Sequence, residues 1–268
     1  ARPFYARLVA NEQLCGAARG GRDVRHLELD LTGSGIEYTA GDALAVQPRN
    51  PLAETRALLL ALGIDPDRRV VLVPASPRVP PLPSDGGAWT ALRLFSERLD
   101  LFGVPRRAFF EELARHAAAP HEAKRLAEFG SPKSADDLRD YCSRPRRTHA
   151  EVLLEFPSAR PPLAAYLDLL PPLRHRYFSL SSSPALHPHT AHLTVSVVRY
   201  QTRISAPRFG VCSTYLASLT PRPNGPAAAA DGAAAAGARV AVWLRASELR
   251  LPASDAAPIL MVGPGTGV

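Results

Sequence analysis

Arg176-Tyr177-Phe178-Ser179 brings a guanidinium, two rings and a hydroxyl into one short run. An extended chain turns alternate side chains to opposite faces, so Arg176 and Phe178 would share a face and Tyr177 would lie on the other. A guanidinium there can hold phosphate oxygens in pairs, and a ring beside it can stack on a flat heterocycle. The Ser179 hydroxyl can bond a ring nitrogen or carbonyl. Further on, Gly210-Val211-Cys212-Ser213 opens a helical stretch. A glycine at a helix start lets backbone amides approach a pyrophosphate, and the helix dipole adds to the attraction. Ser213 and Thr214 can cap that helix or donate to a phosphate, and Cys212 reads as a packed small residue. The apolar run Pro258–Val262 then leads into Gly263-Pro264-Gly265-Thr266-Gly267. A buried strand ending in a glycine turn is how α/β domains present amides to phosphate. No G-K-[ST] follows, so it is not a P-loop, and G-x-G-x-x-G is not completed.

Each string alone also suits an ordinary strand, a capped helix or a turn. Their order suits a flavin dinucleotide site followed by the opening of a nicotinamide-dinucleotide site. No proton-transfer pair or nucleophile stands out. His187, His189 and His192 fall on a loop and a strand start with no carboxylate at ligand spacing, so they read as satisfied or exposed, and no metal is expected.

The elements that must position these residues are a mixture. "FYARLVANEQL" and "RHLELDL" alternate as strands, with Gly20-Gly21 between them. A turn, a short strand at Leu44–Val46 and a stop at Pro48 and Pro51 follow, then a helix over Leu52–Leu62 closed by Gly63. "RRVVLVP" reads as another strand, and Pro74–Pro83 as a loop. From Trp89 to Leu138 the period is helical, with Asp136 as the cap of a short helix. Strands return at "HRYFSLSSSP", "AHLTVSVVRYQT", "RVAVWLR" and "APILMVG", and the alanine-rich stretch 224–237 reads as a surface loop.

Composition narrows the class. The chain has 268 residues and is 46% hydrophobic, enough for one large or two small domains. No apolar run is long enough for a bilayer, and no signal peptide pattern is visible. The 3 cysteines, Cys15, Cys142 and Cys212, are scattered, which points away from a disulfide framework and towards a reducing compartment. The net charge of +7 is carried by arginine, with Lys124 and Lys133 the only lysines, and no basic run is interleaved with stacking aromatics. No nucleic-acid partner and no membrane are therefore expected. The chain starts at Ala1, not Met, and stops just after the glycine loop, so it reads as a piece of a longer protein.

The order aromatic-serine strand, glycine-started helix, strand and glycine turn resembles the ferredoxin–NADP reductase superfamily. "GDALAVQPRNP" and the helical block resemble its diflavin branch. "YCSRPRRTHAEVLLEFPSARPP", "YLDLLPPLRHRYFSLSSS", "VVRYQT" and "MVGPGTGV" are most similar to the NADPH-dependent diflavin oxidoreductases of cytosolic iron–sulfur protein assembly. The resemblance covers nearly the whole chain and is dense from Tyr141 onward. It implies a β-barrel plus α fold: an antiparallel Greek-key FAD-binding barrel (1–51 and 140–257), an inserted helical connecting domain (52–139), and the first strand of an α/β NADP-binding domain (258–268). It implies FAD and NADPH as cofactors, FMN in a domain expected upstream, and a cytoplasmic enzyme passing electrons to an anamorsin-type iron–sulfur assembly protein. The alternative is a reductase of the microsomal cytochrome or sulfite reductase type serving a haem acceptor.

Residue by residue, the resemblance places Arg176 on the pyrophosphate, Phe178 over the isoalloxazine and Ser179 near N5, with Tyr177 between them. It places Gly210, Val211, Cys212 and Ser213 against the pyrophosphate from the helix side, and Gly265 and Thr266 at the start of the NADP site. Arg147, or Arg146 if the register shifts by one, would sit by the adenosine end, with Tyr200 flanking the ribityl or adenine portion.

Overall fold

The apolar residues near both ends of the chain alternate, and this period of two sets them on one face of extended strands. The computed structural model describes residues 3–15, 22–73, 88–202, 207–221, 238–254, 256–263 and 266. In chain order the elements begin with β1 (Phe4–Cys15), β2 (Val24–Asp30), β3 (Ala43–Gln47) and α1 (Leu52–Ala61). The helices α2 (Ala91–Glu97), α3 (Arg107–Ala114), α4 (Pro120–Gly130), α5 (Ala135–Leu138), α6 (His149–Glu155) and α7 (Tyr166–Leu169) follow. Then come β4 (Arg176–Ser179), β5 (Thr190–Ser196), β6 (Arg199–Tyr200), β7 (Arg208–Phe209), α8 (Val211–Ser218) and β8 (Arg239–Arg245). Packing divides the chain into two compact units, one of residues 1–48, 175–198 and 212–268, the other of 49–174 and 199–211.

The first unit is a six-stranded sheet in the order β4-β3-β8-β1-β2-β5. Every pairing is antiparallel. Its inner face alternates as the sequence predicts: Ala6 and Leu8, Leu27 and Leu29, Leu44 and Val46, Leu193 and Val195, Val240 and Val242 form one core. Cys212 and Leu216 of α8 belong to the same core. The sheet curls, for Leu180, just past β4 at one edge, makes an isolated bridge to Leu193 of β5 at the other. Two further devices hold this unit. Gly41 turns the chain into β3 with φ +95°, and a Cβ there would stand 2.1 Å from the Leu249 carbonyl oxygen. Next to it, Asp42 accepts from the amides of Thr39 (2.9 Å) and Ser247 (3.0 Å) and from Arg250 (2.7 Å). Those amides and the guanidinium hold its carboxyl well below the usual carboxylate range. At the far end of α8, the Asn11 amide donates to the Leu216 and Leu219 carbonyls at 3.1 and 2.7 Å, satisfying acceptors that the helix cannot.

The second unit is helical around Phe95, Phe110, Phe129 and Tyr166, all buried. Gly63 closes α1 with φ +73°, the left-handed cap that the sequence predicts. Asn50 ties α1 to the end of α2: its side chain donates to the carbonyls of Phe95 (2.8 Å) and Leu99 (2.7 Å). A capping box, Thr148 with Glu151, starts α6.

Three expectations give way. Val70–Val73 is not a strand; only Arg69 bridges Thr90, and Val71 and Val73 are exposed. β-branched residues do not pair without a neighbouring strand to bond. Asp136 lies inside the first turn of α5, where its charge faces the positive helix end, while Ser134 holds the cap position. Residues 258–263 are not in strand conformation, and Ile259, Leu260, Met261 and Val262 are exposed, since no strand among the described residues lies alongside to bury them. Packing also groups the chain by its two cores. Residues 140–174 go with the helices, because α6 and α7 bury Val152, Leu153 and Tyr166 in the helical core. The loops expected at Pro74–Pro83 and 224–237 and the turn at Gly20-Gly21 lie outside the described residues.

Candidate cofactor site

In the first unit, β4 pairs with β3 so that Phe178 stands opposite Leu44 and Arg176 opposite Val46. Leu44 and Val46 point into the core, so Arg176 and Phe178 take that same face, and Phe178 packs half-buried against the core's edge. Tyr177 and Ser179 alternate to the other face and are exposed. There the Tyr177 hydroxyl lies 2.7 Å from His175 Nε2, and the Arg245 guanidinium sits 4.3 Å over the Tyr177 ring. Phe178 and Ser179 therefore do not share a face.

α8 packs on that inner face through Cys212 and Leu216, while Arg176 itself is exposed at its edge. Burial pushes the Cys212 thiol up to about 12, and the positive charge of Arg176 pulls it partly back, which places the guanidinium within electrostatic reach of the first turn of α8. Cys212 is buried and protonated, the packed small residue that the sequence reading made it. Ser213 Oγ accepts from the Val198 amide at 3.0 Å, tying α8 to the end of β5. Thr214 Oγ1, one residue on, is buried and has no hydrogen-bond partner among the described residues. A buried hydroxyl without a partner is costly, so it favours a polar ligand that supplies one. A guanidinium and the amides of a helix's first turn are donors of the kind a pyrophosphate takes. These residues fit the charged middle of a dinucleotide, with Phe178 on the same face to pack a ring.

In the second unit the expected residues divide. Arg147 is engaged with the protein: Nε donates to the Tyr141 carbonyl at 3.1 Å, the guanidinium lies over the Tyr141 ring, and it pairs with Glu155. Arg146 takes φ +55°, an uncommon conformation for a non-glycine residue, and its Nε lies 3.4 Å from the Tyr200 hydroxyl. Of the two arginines left open by the register, Arg146 is the one that meets Tyr200. Gly210 and Val211 follow β7 directly.

Arg208 was not legible as part of this arrangement. It donates to the Pro145 carbonyl from Nε (3.3 Å) and to Glu151 Oε1 (2.8 Å), fastening the corner that carries Arg146. Its only sequence signal is its place just ahead of Phe209-Gly210. Thr266 is exposed in a turn, and Gly265 lies outside the described residues.

The geometry defines a class first: an antiparallel sheet whose edge strand carries an arginine and an aromatic on the face against which a helix packs. Residues 1–215 match the family described as FAD binding domain, and the chain belongs to that family. It is 43% identical over 99% of its length to NADPH-dependent diflavin oxidoreductase 1 of Bos taurus, covering 43% of that protein. It is 41% identical to the Mus musculus protein of the same name, over 99% of this chain and 43% of the relative. NADPH–cytochrome P450 reductase of Oryctolagus cuniculus is 35% identical over 99% of this chain, with 38% of that protein covered. The chain thus spans less than half the length of these relatives.

Proposed function

We propose that this chain is the FAD-binding part of an NADPH-dependent diflavin reductase of the cytoplasm that delivers electrons to an iron–sulfur assembly protein of the anamorsin type. Bound FAD would supply the chemistry that the protein lacks, taking two electrons as hydride and releasing them singly. The chain's own residues bind and orient it. Arg176 and the first turn of α8 neutralise the pyrophosphate and Phe178 covers the ring; the resemblance gives Ser179 the reactive edge, although its side chain alternates to the other face. By the resemblance, Arg147, or Arg146 if the register shifts by one, is given the adenosine end, Tyr200 the ribityl or adenine portion, and Gly210 to Ser213 the pyrophosphate. The closed Greek-key barrel belongs to this reading, supported by the bridge between Leu180 and Leu193. So do the domain boundaries at 1–51, 52–139 and 140–257, the opening of an NADP site at Gly265 and Thr266, and the FMN and NADP domains as intramolecular partners.

The observation that carries the proposal is Arg176 and Phe178 on the one face against which α8 packs. A reductase serving a haem acceptor is the second reading, favoured by the 35% identity to the cytochrome P450 reductase. The absorption spectrum of the purified chain tests the cofactor: flavin bands near roughly 370 and 450 nm are expected, with FAD released on denaturation. A colourless chain that takes up no FAD on reconstitution would overturn it. Reduction of the two acceptor classes by the full-length protein separates the readings.

A further inference from the structure

Away from the face of Arg176 and Phe178, the same sheet gathers histidines. Leu27 and Leu29 of β2 point into the core, so His26 and Glu28 share its outer face. Register brings β5 alongside, with His192 directly opposite Glu28 and Thr194 opposite His26. The His26 and His192 rings meet edge to face at 5.1 Å, and His26 Nε2 lies 3.1 Å from Glu28 Oε1. One ligand atom from each of His26, Glu28 and His192 falls within 4.8 Å of the others, the only such group of three found among the described residues. His187 stands beside them, its ring 4.2 Å from that of His192. The sequence showed no carboxylate at ligand spacing because Glu28 arrives across the sheet, through register and not through spacing along the chain.

We propose that His26, Glu28 and His192 bind a divalent zinc-class cation as a clasp between β2 and β5. Two imidazoles and one carboxylate are a donor set that suits zinc, with a fourth position left for water. Around a tetrahedral zinc the ligand atoms stand ~3.3 Å apart, given bond lengths of about 2.0–2.1 Å. The His26–Glu28 pair is already at 3.1 Å, so His192, whose Nε2 lies 3.2 Å from the Thr190 hydroxyl, is the ligand that must close in. All three ligands sit on paired strands, which leaves little backbone entropy to lose on binding. The clasp has a structural consequence. The His192 carbonyl accepts from the Ser181 amide at 3.0 Å, and its own amide donates to Ser182 Oγ at 3.0 Å. Fixing His192 to β2 therefore fixes the strand on which the segment after β4 docks.

The test uses tag-free protein stripped with a chelator. Zinc is measured by competition with a chromophoric chelator, and cobalt(II) serves as an optical probe of four-coordinate geometry. One zinc per chain that survives gel filtration is expected, with a higher Tm in its presence. His192→Ala and Glu28→Gln should each weaken binding by more than about 10–100-fold, the loss that removing a mere outer-shell partner brings, and abolish the visible cobalt bands. His121→Ala, an exposed histidine of α4, should change neither. Glu28→Gln keeps the side-chain shape, and its Tm without metal reports whether it folds. Equal zinc affinity in wild type, Glu28→Gln and His192→Ala, or no zinc retained by the wild type, would overturn the proposal. FAD content is read separately and does not enter the result.

Discussion

Arg208 and Glu151 meet through a hydrogen-bonded ion pair at 2.8 Å, and the same guanidinium holds the Pro145 carbonyl. The pair closes a corner of chain whose next residue, Arg146, takes its left-handed conformation and reaches Tyr200. A planar fork holds two acceptors at once, which a lysine ammonium on a flexible stem does not reproduce. Arg208→Ala should cost about 1.5–3 kcal/mol, the range for hydrogen bonds to charged groups. Arg208→Lys should recover only part of it. Burial raises the Glu151 carboxyl, but Arg208 and Thr148 more than offset this and hold it low. A carboxyl held low stabilises the fold above its ordinary titration range and loses that contribution as pH falls. The acid-unfolding midpoint should therefore rise in Arg208→Ala, and an unchanged midpoint would detach Arg208 from the corner.

Phe178 is the second test, because it shares a face with Arg176. Stacking of a flat heterocycle on one aromatic ring contributes about 1–3 kcal/mol. Phe178→Ala should lower FAD affinity by about tenfold or more, whereas Phe178→Tyr should keep it. Flavin content after dialysis measures this. Retention by the alanine variant equal to wild type would move the stacking role elsewhere, with Tyr177 on the opposite face as the next candidate.

Gly41 makes a prediction about the fold alone. At φ +95° a side chain is strained, and its Cβ would press on the Leu249 carbonyl, which is backbone and has little room to give. Gly41→Ala should destabilise by at least about 1–2 kcal/mol from the left-handed conformation alone, with the clash added. Urea unfolding checks it, and a variant as stable as wild type would mean that the turn before Asp42 is built differently.

Local signals account for most of what the sequence made legible. Alternation marks the inner faces of β2, β5 and β8, and Gly63 marks the end of α1, because period and caps are properties of neighbouring residues. Arg176 and Phe178 share a face for the same reason. What stayed hidden depends on partners distant in the chain. Glu28 meets His192 only through strand register, and Arg208 meets Pro145 only through folding of the second unit. Val71 and Val73 show the converse, since strand-forming residues there remain exposed without a neighbour to pair with.

His149 supplies a dependence on pH that belongs to the core of the second unit. Its side chain is buried, packed edge to face on Phe109 with ring centroids 4.9 Å apart, and its Nδ1 has no hydrogen-bond partner among the described residues. Burial lowers its pKa to about 4. An unfolded chain takes up a proton on this ring near pH ~6.5, while the folded chain resists until lower pH. The unfolded state therefore binds more protons between those two values, so stability is complete above about pH 6.5 and declines as pH falls towards 4. The loss attributable to this ring is on the order of 3 kcal/mol at full protonation. In His149→Phe the ring cannot be protonated, so the part of the stability–pH slope between these limits should vanish. Denaturant titrations of both proteins across that range measure it, and parallel slopes would show that His149 is already charged in the fold.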